Sequence, residues 1–415
     1  MTKQIKVLDA LPGCGKTTAI YKYMNANQDQ PWLYLSPMKD EIEIRLHNDI
    51  EHLGLTIDFF IAEDKSTNRE RKTMTLQVLE AMKRKENIAC THALMMRFSD
   101  EHIQLLKDHG YKVVCDEELN LISAYNDLTK GDIEWLLDNK HIEISEVDGC
   151  ISLLSEIPDD SRYADVAMYA RMGCLYAAKK RNNFLVLQMS PKIIEAASEF
   201  ILLTYLYKGS IMDTFMSMHG YTSERFELEL LYSEKDRIKQ LRDLLILIET
   251  PAVKKAQKFP LSASWWKTAS KEDISSLEKN FIAVVKGTKT PNDLVMHTLP
   301  KTNHSGGDAG ERSTKLFKPV KFDINNSFVY STARATNQYA TKQLAIHMLN
   351  VYPNQPVLAY MQDMTYVCDS DNHALSTLLQ WIFRGCIRKN EPMKIALFSK
   401  RMSLLLKQWL SRVDL

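Results

Sequence analysis

A chain of 415 residues with 45% apolar content has room for on the order of two or three domains, each with an ordinary core. Its formal charge of +1 excludes a histone-like polycation but permits a local basic groove. Seven cysteines without a C-x-x-C or a paired Cys/His spacing exclude a zinc finger and a disulfide frame, and read as reduced thiols of a cytosolic protein.

Residues 5–8 form a strand pattern, and Ala19, Ile20 and Tyr23 give the next segment helical spacing. Between them Ala10-Leu11-Pro12-Gly13-Cys14-Gly15-Lys16-Thr17-Thr18 has the form A-x-x-G-x-G-K-T. Glycines in such a loop let backbone N–H groups point inward, and the following helix adds its positive end, so the stretch reads as a phosphate cradle. Gly13, Cys14, Gly15, Lys16, Thr17 and Thr18 are the nucleotide-binding candidates. Lys16 reaches the outer phosphates, and the Thr17 hydroxyl takes a place on Mg²⁺. The alternative, a glycine-rich turn with a surface lysine, is disfavoured because strand, loop and helix agree. With a strand and this loop at the start of the chain, no N-terminal signal is expected, and no apolar run is long enough to span a bilayer. The expectation is a cytoplasmic protein without a membrane partner.

A second strand is predicted at 32–35, ending in Ser36-Pro37 before a helix carrying Ile42, Ile44 and Leu46. Ser36 reads equally well as the cap of that turn. The short strand at 87–91 ends in Thr91-His92, where a hydroxyl and an imidazole suit a phosphate; the competing reading makes His92 a cap or core histidine. Residues 111–115 predict an apolar strand ending in Asp116-Glu117-Glu118. Behind a P-loop, Asp116 orients Mg²⁺ and Glu117 polarises the attacking water, although acids after a strand also arise by chance.

Residues 119–184 read as mainly helical and carry no motif. Two strands follow, 184–189 before Ser190-Pro191 and 200–203 before Thr204, separated by a short helix at 192–198. Residues 210–325 predict a linking or insertion region with a strand at 226–232 and a helix at 234–248. An amphipathic helix at 271–286 buries Ile274, Leu277, Phe281, Val284 and Val285. A mobile loop is expected at 300–319.

A second core domain is expected from residue 326, with a strand at 327–330, a polar turn at 331–337, a helix at 339–349 and a strand at 356–361. Arg334, Thr336 and Asn337 of Ser-Thr-Ala-Arg-Ala-Thr-Asn suit a grip on backbone phosphates, or Arg334 the nucleotide cleft. Asp363, Asp369 and Asp371 form a small acidic cluster. Leu375, Leu378, Leu379, Ile382, Phe383 and Cys386 follow one helical face, which aligns Gln380, Arg384 and Arg388 four residues apart as a polar stripe. Arginines there suit the charge of a terminal phosphate, or simply a solvated face. A strand at 393–398 and a helix at 401–410 close the chain.

Taken in order, these motifs resemble superfamily 2 helicases and translocases, in particular compact phage-encoded DNA helicases. The resemblance implies an α/β fold of two RecA-like P-loop domains with helical insertions: residues 1–209, a linking region 210–325, and 326–415. It implies ATP and Mg²⁺ as cofactors, single-stranded DNA as the foremost partner, and replication or recombination proteins as further ones. Lys16, Asp116, Glu117, Arg384 and Arg388 become catalytic. Gln380 joins the nucleotide site, and Ser36, Pro37, Thr91, His92, Arg334, Thr336 and Asn337 contact nucleic acid. Thr204 becomes the coupling residue of the third signature, a strand ending beside the terminal phosphate. Two departures stand out: Phe383 occupies the glycine place of Q-x-x-G-R-x-x-R, and the second arginine lies one residue late. Two other readings share the same P-loop, a DNA-packaging ATPase with a nuclease and a non-catalytic, NTP-controlled interaction protein.

Overall fold

The computed structural model describes residues 4–64, 72–178, 180–300, 327–332 and 338–412. The chain divides into two units: Met1–Asp9, Thr17–Leu228 and Pro353–Ser370 form the first, and Ala10–Lys16, Glu229–Tyr352 and Asp371–Leu415 the second. Among the described residues no helix is long and apolar enough to cross a membrane.

The strands of the first unit are β1 (Gln4–Asp9), β2 (Trp32–Ser36), β3 (Phe60–Ile61), β4 (Ile88–Thr91), β5 (Lys112–Asp116), β6 (Ile122–Tyr125), β7 (Ile142–Ile144), β8 (Ile151–Leu153), β9 (Leu175–Ala178), β10 (Arg181–Gln188), β11 (Glu199–Thr204) and β12 (Thr222–Arg225). Seven of them make one all-parallel sheet in the order β12-β1-β11-β5-β2-β4-β3. Parallel strands covered on both faces need apolar side chains throughout. Every residue of β2 is buried, and so are Val113, Val114 and Cys115 of β5. The register pairs Asp9 with Thr204 and Leu203 with Asp116, so β1, β11 and β5 end at one level.

Between β5 and β11 lies a mixed α/β module, where helix was expected. β6, β10 and β9 form a three-stranded antiparallel sheet, and β7 pairs with β8. Helices Lys130–Asp138 and Ala164–Arg171 cover a separate small core that includes Ile133, Leu136, Ile151, Val166 and Leu175. Most of these strands are three or four residues long, too short for a period of two to show in sequence. The segment Pro353–Ser370 returns to this first unit. Its helix Gln355–Asp363 contributes Val357, Tyr360 and Met361 to the core, and the Tyr360 hydroxyl donates to the Asp148 carbonyl at 2.8 Å.

The second unit carries β13 (Leu245–Leu247), β14 (Val295–Thr298), β15 (Leu344–His347) and β16 (Met393–Leu397) in a parallel sheet of order β13-β16-β15-β14. Thus β13 and β14 come from the stretch expected as a linking region. Helix Lys271–Thr288 buries the residues its periodicity marked, packing Leu277, Phe281 and Val284 beside Leu344, Ile346 and Ala396.

Five local expectations are overturned. Residues 339–349 contain the strand β15 and no helix, because an interior strand buried on both faces shows no alternation. Residues 356–361 are helical, since Pro356 occupies the first turn, where its missing N–H costs nothing. The helix at 234–248 stops at Leu244 and gives way to β13, while the strand expected at 226–232 ends earlier, as β12 at Arg225. The helix bearing Gln380 ends at Ile382. Arg334, Thr336, Asn337 and nearly all of the loop expected at 300–319 lie outside the described residues.

Candidate nucleotide site

In the first unit the carboxyl ends of three neighbouring strands gather polar groups. Asp9, the last residue of β1, accepts hydrogen bonds from the N–H groups of Leu206 (2.8 Å) and Tyr207 (3.1 Å), tying the turn after β11 to the exit of β1. Thr204, 6% exposed, donates its hydroxyl to Glu118 Oε1 at 3.3 Å. At the end of β5, Asp116 accepts from the Tyr34 hydroxyl at 3.1 Å. Burial, and after it the Asp116 charge, push the Tyr34 hydroxyl well above its ordinary pKa, so it remains a proton donor toward that carboxylate.

Glu117 takes a left-handed conformation, φ +64°, with its N–H bonded to the Leu203 carbonyl at 2.9 Å. A non-glycine residue pays roughly 1–2 kcal/mol for that geometry, and such strain collects at functional positions. The turn is braced from below: the Cys115 thiol donates to the Glu117 carbonyl at 3.3 Å and lies 3.5 Å from His92 Nε2.

The loop that joins β1 to helix Lys16–Ala26 groups with the second unit. Gly13 and Gly15 have φ of +81° and +89°, the left-handed turns that a phosphate cradle needs. The Lys16 ammonium donates to the Ala10 carbonyl across the loop. The Leu231 N–H holds the Cys14 carbonyl at 3.0 Å, and a Cβ on Gly15 would lie 2.7 Å from Leu231 Cγ. Side chains are therefore excluded at Gly15 by conformation and by space. The Cys14 thiol is 1% exposed; burial raises its pKa, against the lowering effects of Lys16 and then Arg237. Within the second unit the positive-φ glycines suit a polyphosphate, and within the first the Thr17 hydroxyl and the Asp116 carboxylate are hard oxygen donors of the kind Mg²⁺ takes.

Three comparisons with known proteins bear on this architecture. A family model described as the YonV C-terminal Rossmann-like domain matches residues 239–410, which contain all four strands of the second sheet. The SPbeta prophage-derived uncharacterized protein YonV of Bacillus subtilis (strain 168) is 24% identical over 431 residues, spanning 98% of this chain and 99% of that protein. Among solved structures, that of S. tokodaii Xpd4 superimposes with a TM-score of 0.43 at 14% identity, over 98% of this chain and 94% of the other.

The remaining site candidates are dispersed. Ser36 is fully buried and donates its hydroxyl to Glu41 Oε2 at 2.7 Å, so it is a turn residue and is not displayed to a nucleic acid. Pro37 follows it, half-buried, ahead of a π-helical turn at Glu41–Leu46. The Thr91 hydroxyl accepts from the Leu94 N–H at 3.1 Å and caps the short helix that His92 opens. The polar stripe of Gln380, Arg384 and Arg388 does not form. Gln380 is the third-last residue of its helix, Arg384 lies in the following turn at 6% exposure, and Arg388 is exposed on a 3₁₀ turn. Beyond the helix the chain is extended at Gly385. A Cβ there would run into Met393 Cε and lie 3.0 Å from the Lys342 carbonyl. In the acidic cluster, Asp371 pairs with Arg401 at 2.6 Å and Asp363 accepts from the Lys180 N–H at 2.9 Å. Asp9, Tyr34 and Arg237 carried no motif, and Glu118, inside the acidic run, was given no role. Only the position of Asp9 directly before the P-loop could have drawn notice.

Proposed function

We propose that this protein is a Mg²⁺-dependent ATPase that drives a helicase or translocase step on nucleic acid, with single-stranded DNA as the foremost substrate in phage-type replication or recombination. The observation that carries the ATPase is the common level at which β1, β11 and β5 end. Asp116 and Thr204 stand there beside the strand that leads into Gly13–Thr17. In open parallel sheets this carboxyl edge is where nucleotides bind. The motor reading rests on the order of motifs along the chain, and the assignment to phage biology is supported by the end-to-end similarity to a prophage-derived protein.

In this reading the loop N–H groups and Lys16 bind the phosphates, and Thr17 and Asp116 hold the metal, which supplies charge neutralisation at the phosphoryl group when bound. Tyr34 keeps the Asp116 carboxylate oriented. Glu117 holds the attacking water and takes up its proton, and its left-handed turn fixes the direction of the carboxylate. Thr204, bonded to Glu118, links the phosphate side of β11 to the acidic turn. Arg384 contributes a cation to the terminal phosphate, while Thr91, His92, Arg334, Thr336 and Asn337 grip the nucleic-acid backbone.

The test is steady-state ATP hydrolysis with and without single-stranded DNA or RNA across a salt series, for wild type, Lys16→Ala and Glu117→Gln. Wild-type turnover should rise with single-stranded DNA and lose that stimulation steeply as salt increases. Both variants should lose at least about 100-fold in kcat, with Glu117→Gln still binding ATP. Turnover indifferent to every nucleic acid offered would sink the motor reading, and binding without hydrolysis would leave only an NTP-controlled interaction protein.

A further inference from the structure

Within the second unit a buried arginine faces the phosphate loop. Arg237, near the start of helix Glu234–Leu244, is 1% exposed. Its Nη1 donates to Gln240 Oε1 and, at 2.6 Å, to Asn390 Oδ1, so two neutral acceptors hold one edge of the guanidinium. Its Cζ lies 5.2 Å from the centroid of the Tyr232 ring and 5.6 Å from that of Phe383. Nε is buried with no hydrogen-bond partner among the described residues. Nη2 is turned to the loop: a Cβ placed on Gly13 would lie 3.3 Å from it and 3.1 Å from Phe383 Cε1.

Among the described residues no carboxylate pairs with this guanidinium. A fixed charge withdrawn from water normally sits beside an anion, because neutral acceptors satisfy its hydrogen bonds but not its field. A carboxylate, Glu234, lies one turn earlier on the same helix and acts on Cys14; the anion that would sit against the Arg237 fork itself is a phosphate on the loop it faces. The Lys16 ammonium, which in the proposed function serves the outer phosphates, donates to the Ala10 carbonyl, and Arg237 approaches the same loop at Gly13.

We propose that Arg237 binds the terminal phosphate of the nucleoside triphosphate held on Gly13–Thr17, as a second guanidinium distinct from the arginine at 384. Phe383 gives this assignment a structural partner. Standing where the helicase pattern has glycine, its ring packs beside both the guanidinium and Gly13 and limits the swing of the Arg237 fork. A planar, bidentate cation held in this way recognises a phosphoryl group better than a flexible ammonium would. The inference rests on the nucleotide reading given above.

The experiment uses the full chain and compares wild type, Arg237→Gln, Arg237→Lys and Lys16→Ala. It measures equilibrium binding of fluorescent ATP and ADP analogues, kcat and KM for ATP, and melting temperature. Arg237→Gln should weaken ATP-analogue binding at least 10-fold while ADP-analogue binding changes less than 3-fold, and kcat/KM should fall at least 100-fold. Arg237→Lys, which keeps charge and fold but loses the fork, should lose at least 10-fold in kcat/KM, and millimolar guanidinium should restore part of the Arg237→Gln loss. A purely structural role would weaken ATP and ADP alike, follow the melting temperature, and show no rescue; that outcome overturns the assignment. So does wild-type kcat/KM in Arg237→Lys while Lys16→Ala is inactive, with the nucleotide site left standing. If the wild-type chain binds neither analogue, the nucleotide reading itself falls, and this inference with it.

Discussion

In the proposed function Glu117 combines a conformational cost with a role. Its left-handed φ is one that a β-strand residue avoids, yet the bond from its N–H to Leu203 and the Cys115 thiol beneath it hold the turn. Tyr34 works on the neighbouring carboxylate from a position with no access to water. Replacing Tyr34 with Phe removes one donor to Asp116 and no ring volume. Loss of one such hydrogen bond, about 1 kcal/mol, should slow kcat roughly fivefold and leave circular dichroism unchanged. ATP turnover at the wild-type rate would show that the site does not depend on that bond. The motif reading singled out Asp116 and Glu117 from their spacing, because a strand followed by acids behind a glycine-rich loop is a local pattern. It missed Tyr34, whose contact spans 82 residues.

At the scale of elements, the instructive error is the helix expected to carry Gln380, Arg384 and Arg388. The apolar face was read correctly, since Leu375, Leu378, Leu379, Ile382, Phe383 and Cys386 are all buried. Beyond Ile382 the chain leaves the helical path: the Cys386 N–H bonds to the Lys342 carbonyl ahead of β15, and a Cβ on Gly385 would meet Met393 of β16. Gly385→Ala should therefore destabilise the fold by about 1–3 kcal/mol, the usual penalty for overpacking. A chemical denaturation midpoint lowered without a change in slope would record it. An unchanged midpoint would mean that Met393 swings aside at no cost. The same logic explains β15. Its four residues are wholly buried, and an unbroken apolar run carries no periodicity to tell strand from helix.

At the scale of the whole molecule, chain order and spatial order diverge. The first unit takes Pro353–Ser370 from late in the sequence, and Val357, Tyr360 and Met361 complete its core. A fragment of residues 1–228 should therefore be markedly less stable than the same unit in the intact chain, because it exposes the apolar surface that this segment covers. Comparing thermal unfolding and hydrogen exchange of the β6–β10 module in the fragment and in the full chain checks this. Equal protection in both would mean that the late helix is an accessory.

What the sequence determined by itself is the set of features encoded by neighbours along the chain: the glycine-rich loop between a strand and a helix, the acidic end of β5, the buried strands of the first sheet and the amphipathic stripe of helix Lys271–Thr288. Each follows from φ preferences, periodicity or charge within about a dozen residues. Only the tertiary structure decided which strands lie side by side, that Ser36 is sealed inside a turn, that the helix carrying Gln380 ends at Ile382, and that Arg237 faces the loop from more than two hundred residues away. The reason is physical. Burial and close approach depend on surfaces supplied by distant segments, and a local pattern holds no record of what will be packed against it.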